Sequence, residues 1–244
     1  MTDFTNSRAS DNPTLAYQSQ HDWRVYRTDD PVACLFRAGM SIDADGAPRA
    51  YHPDGCPPGL DYLDNAGTPG KWWGIATDNG KKWGNPLIQG PNEPAPGFYV
   101  STTALVDPRY NDGEQRRYVD AGTVPYVVLP RDYPDFQLNS RIGKGDLAMV
   151  HYPATGRTVA AIFADVGNRK HLGEGSIALA EALGLSNSSP TNGGVSKPEI
   201  LYVVFPGSGN GKPRTREEID AIATEAFENW GGLRRLLAIQ EQLD

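Results

Sequence analysis

Two acidic side chains stand nine positions apart in AAIFADVGNRKHLGEGSIALAEALG, residues 160–184: Asp165 ends an apolar run, and Glu174 follows a glycine-bounded turn ahead of a helical stretch. Two carboxyl groups are what acid/base cleavage of a glycosidic bond demands, one to protonate the leaving oxygen and one to activate a water. A turn across 167–173 can bring both to one end of a sheet. The spacing by itself is weakly specific, because Asp165 could equally cap a turn and Glu174 could serve a helix N-terminus through its dipole.

Other chemistries find less support. FPGSGNGKP, residues 205–213, follows a predicted strand and offers glycine amides with Lys212, but a phosphate loop needs Gly where Pro206 stands and Ser or Thr where Pro213 stands. A plain Gly-rich turn is the better reading. No G-x-S-x-G elbow occurs, and the four histidines (His21, His52, His151, His171) fall in no metal-binding spacing. No metal is expected. Cys34 and Cys56 are either buried thiols or one disulfide.

Net charge separates the partner classes. Lys and Arg total 23 against 30 Asp and Glu, a formal charge of -7, which repels a phosphate backbone and attracts a polycation within a Debye length of about 8–10 Å. Nucleic acid is therefore not expected. No apolar run approaches the ~18 residues of a membrane span, and the first twenty residues lack the basic start and apolar stretch of an export signal. Residues 1–20 read as a disordered polar tail and 21–244 as one domain.

The elements that must position the two acids are mostly strands. Gly and Pro number 27 and 20 of 244 residues, an excess spread along the chain, which favours short strands and turns over coiled coils or long bundles. Apolar, β-branched runs bounded by Gly, Pro or Asp predict strands over 32–42, 72–77, 97–105, 124–129, 146–152, 158–164 and 200–205. Helices come late: 176–183 stopped by Gly184, a T-x-x-E capping box at Thr215 and Glu218 leading to Trp230, and a terminal amphipathic stretch over 233–243. The expectation is a β-rich α+β single domain, with a six- to seven-stranded barrel-like sheet and C-terminal helices.

Against this background SIDADGAPRAYHPD from Ser41, GLDYLDNAG from Gly59, IQGPNEPAPGFYVSTTAL from Ile88, RYVDAGTVPYVVLP from Arg117, AIFADVGNRKHLGEGSIALAEALG from Ala161 and YVVFPGSGNGK from Tyr202 resemble the chitosanases of glycoside hydrolase family 75, especially their bacterial members. The likeness covers most of residues 31–212. It implies an endo-acting hydrolase that cleaves β-1,4-linked glucosamine polymers with inversion and without a cofactor. The family's Asp after a strand and Glu of G-E-x-S fall on Asp165 and Glu174, with Glu174 as acid and Asp165 as base or the reverse. Inversion places the carboxyl groups roughly 6.5–9.5 Å apart.

The family match and the ammonium of each sugar unit together point to Asp43 and Asp45 of D-x-D-G, and to Asp61, as substrate contacts; a solvated acidic loop or a calcium loop lacking its final Glu is the bland reading. Trp72, Trp73, Trp83, Tyr51 and Tyr99 could offer flat faces to sugar rings, and alternation turns one of Trp72 and Trp73 outward; Trp73 is taken as the binding one. Gln89, Tyr99 and Ser101 are further candidates for positioning substrate. The partner implied is chitosan or a related aminosugar polymer, handled by a monomer; the resemblance implies a place outside the cell while the first twenty residues show no export signal, so localisation stays open. A non-catalytic module holding a cationic or cell-wall polysaccharide is the alternative, and a lytic enzyme for another aminosugar polymer is a third.

Overall fold

Long strands form where β-branched and apolar residues run without interruption, and the three longest join shorter ones in a closed barrel. The computed structural model describes residues 12–19, 23–130, 134–167 and 172–243. Its elements begin with β1 (Thr14–Gln18), β2 (Arg24–Asp29) and β3 (Val32–Asp43). A long excursion follows, holding α1 (Leu63–Ala66) and a minimal hairpin of β4 (Gly67–Thr68) and β5 (Lys71–Trp72). Then come β6 (Tyr126–Pro130), α2 (Pro134–Ser140), β7 (Leu147–Tyr152), β8 (Arg157–Gly167), β9 (Glu174–Ser176), α3 (Ile177–Leu183), β10 (Val195–Phe205), α4 (Arg216–Trp230) and α5 (Gly232–Ile239).

The main sheet runs β1-β2-β3-β10-β7-β8-β6-β9, and β9 returns to pair with β3. Strands β3, β10, β7, β8, β6 and β9 therefore close a six-stranded barrel, which removes the open edges a flat sheet would leave. One edge of β3 is shared between two neighbours: Val32–Leu35 pairs with β2, and Ser41–Asp43 runs parallel to β9. The expected β-rich single domain with a barrel and late helices is what the chain forms. Thr14–Gln18, assigned from sequence to a polar tail, is instead β1, paired along β2, with Tyr17 packed on Trp23 and Phe136; the rest of that tail, residues 1–11 and 20, lies outside the described residues.

Alternation splits the strands into two packed faces. One carries Phe36, Val127, Val150, Phe163 and Tyr202 and is closed by α3, which touches β3, β6, β7, β8 and β9. The other carries Leu35, Val128, Met149, Ile162 and Val203 and lies beneath α4, α5 and the excursion. The helix ends follow their local chemistry: Ser176 caps α3 through Leu179 N–H, Gly184 ends it in the left-handed conformation, and Thr215 with Glu218 forms the capping box of α4. Among the described residues no helix is long and apolar enough to cross a membrane.

The excursion is less regular than the sequence predicts. In place of strands over 72–77 and 97–105 there are β5 and isolated bridges, Ile75 to Ser101 and Ile88 to Tyr99 among them. Buried side-chain amides and hydroxyls hold it together. Gln89 donates to the carbonyls of Pro48 (2.6 Å) and Tyr99 (3.0 Å), while Gln115 donates to those of Gly46 (2.8 Å) and Ser101 (3.0 Å). The cysteines do not bond to each other: both are free thiols, with buried Cys34 donating to Ser140 O at 3.3 Å.

Candidate active site

Position within the barrel decides how the two acids face each other. Val128 of β6 is paired on one side with Asp165 of β8 and on the other with Glu174 of β9. The acids thus stand level, two strand spacings of ~4.8 Å apart, so about 10 Å separates their backbones. Simple alternation from Ala160, Ile162 and Ala164 would turn Asp165 toward the α3 face with Phe163. A register shift between Val127 and Val128, opposite Phe163 and Asp165, prevents this. The extra residue is a β-bulge, a device that re-aims a side chain, and it directs Asp165 to the same side as Val128.

The other acid depends on two glycines and a serine. At Gly173, with φ of 91°, a Cβ would lie 2.5 Å from Gly39 O, so only glycine admits the close approach of β9 to β3. At Gly167 a Cβ would lie 2.8 Å from Glu174 Oε2, and its absence leaves the carboxyl its place. Ser176 Oγ accepts Tyr126 N–H (3.0 Å) and donates to Val124 O (2.9 Å), fixing β9 where Glu174 begins it. The expected turn between the acids lies in part outside the described residues, at 168–171.

Both acids line one cavity of about 900 Å³, together with Asp43, Asp45, Asp61, Tyr51, Trp73 and residues of the 190–193 loop. It lies near the upper end of the ~300–1,000 Å³ usual for ligand sites. Asp43, at the end of β3, accepts Asp45 N–H (2.8 Å) on Oδ1, and the Tyr126 hydroxyl stands 3.0 Å from its Oδ2. Tyr51 donates to Asp45 Oδ1 at 2.7 Å, and Asn65 and Tyr62 N–H bind Asp61. Asp165 Oδ1 accepts Ala104 N–H at 2.7 Å. Among the described residues no donor reaches the Glu174 carboxyl. Oxygens of Asp43, Asp45 and Asp165 lie within 4.8 Å of one another, a spacing that suits one cationic group.

Charge and burial push these groups in one direction. Burial raises Glu174 to about 8, aided by the charges of Asp43, Asp165 and Asp61. Asp165 rises to about 7, again by burial first and Asp43 second. Asp45 is held well above the carboxylate range by burial and by Asp43 and Asp165. Asp43 rises less, to about 6, because Asp45 N–H and Tyr126 favour its ionised form. A carboxyl that stays protonated near neutral pH can donate a proton, and its less raised neighbour can accept one.

The structure brings together Asp165, Glu174, Asp43, Asp45, Asp61 and Trp73. Trp73 is 49% exposed and anchored by its indole N–H to Asn65 O (2.7 Å), while its neighbour Trp72 is buried against Tyr99. Three expected substrate contacts do not line the cavity. Gln89 and Ser101 are buried, and their polar atoms serve the excursion: Gln89 as above, Ser101 Oγ accepting Gly46 N–H at 2.9 Å. Tyr99 packs on Trp72 and bonds Tyr51 O through its own backbone N–H. Sequence reading also passes over Tyr126, Val128, Gly167 and Ala104. An apolar residue, a glycine and a backbone amide carry no chemical signature until the fold places a carboxyl beside them.

Residues 40–231, well over half of the chain, match the family described as fungal chitosanase of glycosyl hydrolase group 75. No curated protein matches the chain.

Proposed function

The chain belongs to glycosyl hydrolase group 75, and from that membership we propose that it is an endo-acting chitosanase that works with inversion, as a monomer, on polymers of β-1,4-linked glucosamine. Glu174 is the general acid and Asp165 the general base. The observation that carries this reading is the pairing of both acids to Val128 from opposite sides, on one face and in one cavity. Two strand spacings leave room for side chains converging on a scissile bond with a water beside Asp165, in keeping with the roughly 6.5–9.5 Å separation of inverting enzymes. A nucleophilic role would need the two carboxyl groups at only about 5–5.5 Å.

Charge supplies the selectivity. Asp43, Asp45 and Asp61 face a substrate that bears an ammonium on each sugar, and charge-assisted hydrogen bonds to them favour it over an acetylated unit. Binding such a cation also relieves the mutual repulsion that raises these acids. Trp73 offers its exposed face to a pyranose ring. Kinship to the bacterial members of the family is part of the same proposal and rests on the sequence likeness alone, the matching family being described as fungal.

The deciding experiment measures reducing-end release from polymers of graded acetylation, with the anomeric form of the first product followed by NMR. Falling rates with rising acetylation and initial α-anomer are expected. Binding of chitosan without release of ends would instead make the chain a binding module, and release only from another aminosugar polymer would reassign the substrate.

A further inference from the structure

Asp165 is held by a residue that is itself held. Ala104 gives its N–H to Asp165 Oδ1 at 2.7 Å, and the carbonyl of the same residue accepts from Lys144 Nζ at 2.9 Å. The next amide, Leu105 N–H, donates to Ala164 O at 2.8 Å. The short segment at Ala104 is thereby pinned between β8 and an ammonium group. Lys144 does not line the cavity and is exposed, so it touches neither the space for substrate nor the reacting atoms.

The loop that carries Lys144 is fixed in its turn. The buried Asp146 carboxylate accepts Gly143 N–H (2.7 Å) and Gly207 N–H (3.1 Å) on Oδ2 and Gly209 N–H (2.8 Å) on Oδ1, while Gly145 N–H donates to Phe163 O (2.9 Å). The Gly-rich turn at 205–211 does gather an anion with its amides, but the anion is Asp146 of its own chain. Its effect is to present Lys144 toward Ala104 from a loop tied at both ends to the barrel.

We propose that Lys144 is a positioning residue for Asp165, acting through Ala104 to fix the direction of the carboxylate and standing as the cation behind it. The proposal rests on the reading of Asp165 as the base. The titratable groups facing Asp165 are the carboxyls of Asp43, Asp45 and Glu174 and the Tyr126 hydroxyl, all of which disfavour its charge or are neutral; the N–H groups of Val166 and Ala104 oppose them, and after these the Lys144 ammonium.

The full chain with Lys144→Met or Lys144→Arg tests it. For Lys144→Met we expect kcat about five-fold lower with KM within two-fold, because a displaced base slows the chemical step without weakening substrate binding. The acid limb of the pH–rate profile should move up by about half a pH unit. Lys144→Arg, keeping charge and donor, should restore both. The same upward movement is expected in a carboxyl-carbon NMR titration of Asp165, a readout independent of turnover. An unchanged titration in Lys144→Met, or Arg no better than Met in both readouts, overturns the proposal. A wild-type chain without turnover on any aminosugar polymer, yet with the titration moved, would refute the base reading and leave the Lys144 contact standing.

Discussion

Two sets of sheltered acids in this protein, one buried and one partly open to a cavity, are held in opposite ways. Asp146 lies in a nest of three backbone N–H groups at 2.7–3.1 Å, given by the turns at 143 and 207–209. The cavity acids face one another, and Glu174 has no donor among the described residues. A carboxylate wrapped by backbone amides serves the fold by tying turns together. Carboxyls crowded against one another are raised by shelter and by their neighbours' charge and exchange protons near neutral pH, which is the property acid/base catalysis needs. Shelter alone therefore does not mark function; the company of other carboxyls separates the two sets, since Asp61 in the cavity has donors of its own in Tyr62 N–H and Asn65.

The sharpest break of this contrast is chemical. Asp165→Asn and Glu174→Gln should each lower reducing-end release by roughly 10³-fold while leaving polymer binding largely intact, whereas no substitution around Asp146 should abolish turnover in molecules that remain folded. Equal loss from both sets would erase the distinction. Next in size is Asp146→Ala, which takes the acceptor from three part-buried N–H groups and should cost about 2 kcal/mol, read as a melting temperature lower by roughly 6 °C.

Asp43 sharpens the comparison from the side of the cavity. After burial, its charge does most to raise both Asp165 and Glu174. Asp43→Asn removes one negative neighbour, so both ionise more easily, and both limbs of the pH–rate profile should move toward lower pH by about one unit. Limbs that stay in place would show that burial acts alone.

The smallest effect is on stability. Glu174 is raised from 4.5 to about 8 and Asp165 from 3.8 to about 7, so the folded chain holds protons that the unfolded chain releases. Stability from these groups is complete below about pH 4 and is lost as pH rises through 7 to 8. Glu174→Gln, neutral at every pH, should melt close to the wild type at pH 5 and a few degrees higher at pH 8.5. A variant that melts lower at pH 8.5 would mean that the carboxylate is satisfied after all.

Much of the architecture could be read from the chain. The runs at 32–42, 146–152, 158–164 and 200–205 have the β-branched, apolar character of barrel strands, and each appears with bounds shifted by a few residues. β9 could not be seen, because three residues of G-E-G-S have no period to detect. β1 escaped because its alternation is weak and its partners Trp23 and Phe136 come later in the chain. Gln89, Tyr99 and Ser101 looked like ligand contacts for a related reason. A polar side chain in a glycine- and proline-rich segment serves substrate or backbone according to where the segment folds, and this excursion, poor in ladder hydrogen bonds, needs its own amides and hydroxyls.

The sequence by itself determined what is local: the inventory of acids, the excess of negative charge, the strand-forming runs, and the caps at Ser176, Gly184 and Thr215, since these depend on neighbours within a few residues. Only the tertiary structure decided which acids meet. Closing the barrel joins Ser41 to Glu174, pairing both acids to Val128 sets their separation, and a one-residue bulge in β8 turns Asp165 to the face where the others wait. Each of these is a contact between distant segments, and a one-residue change of register reverses the side a strand residue faces, so no local pattern could have fixed it.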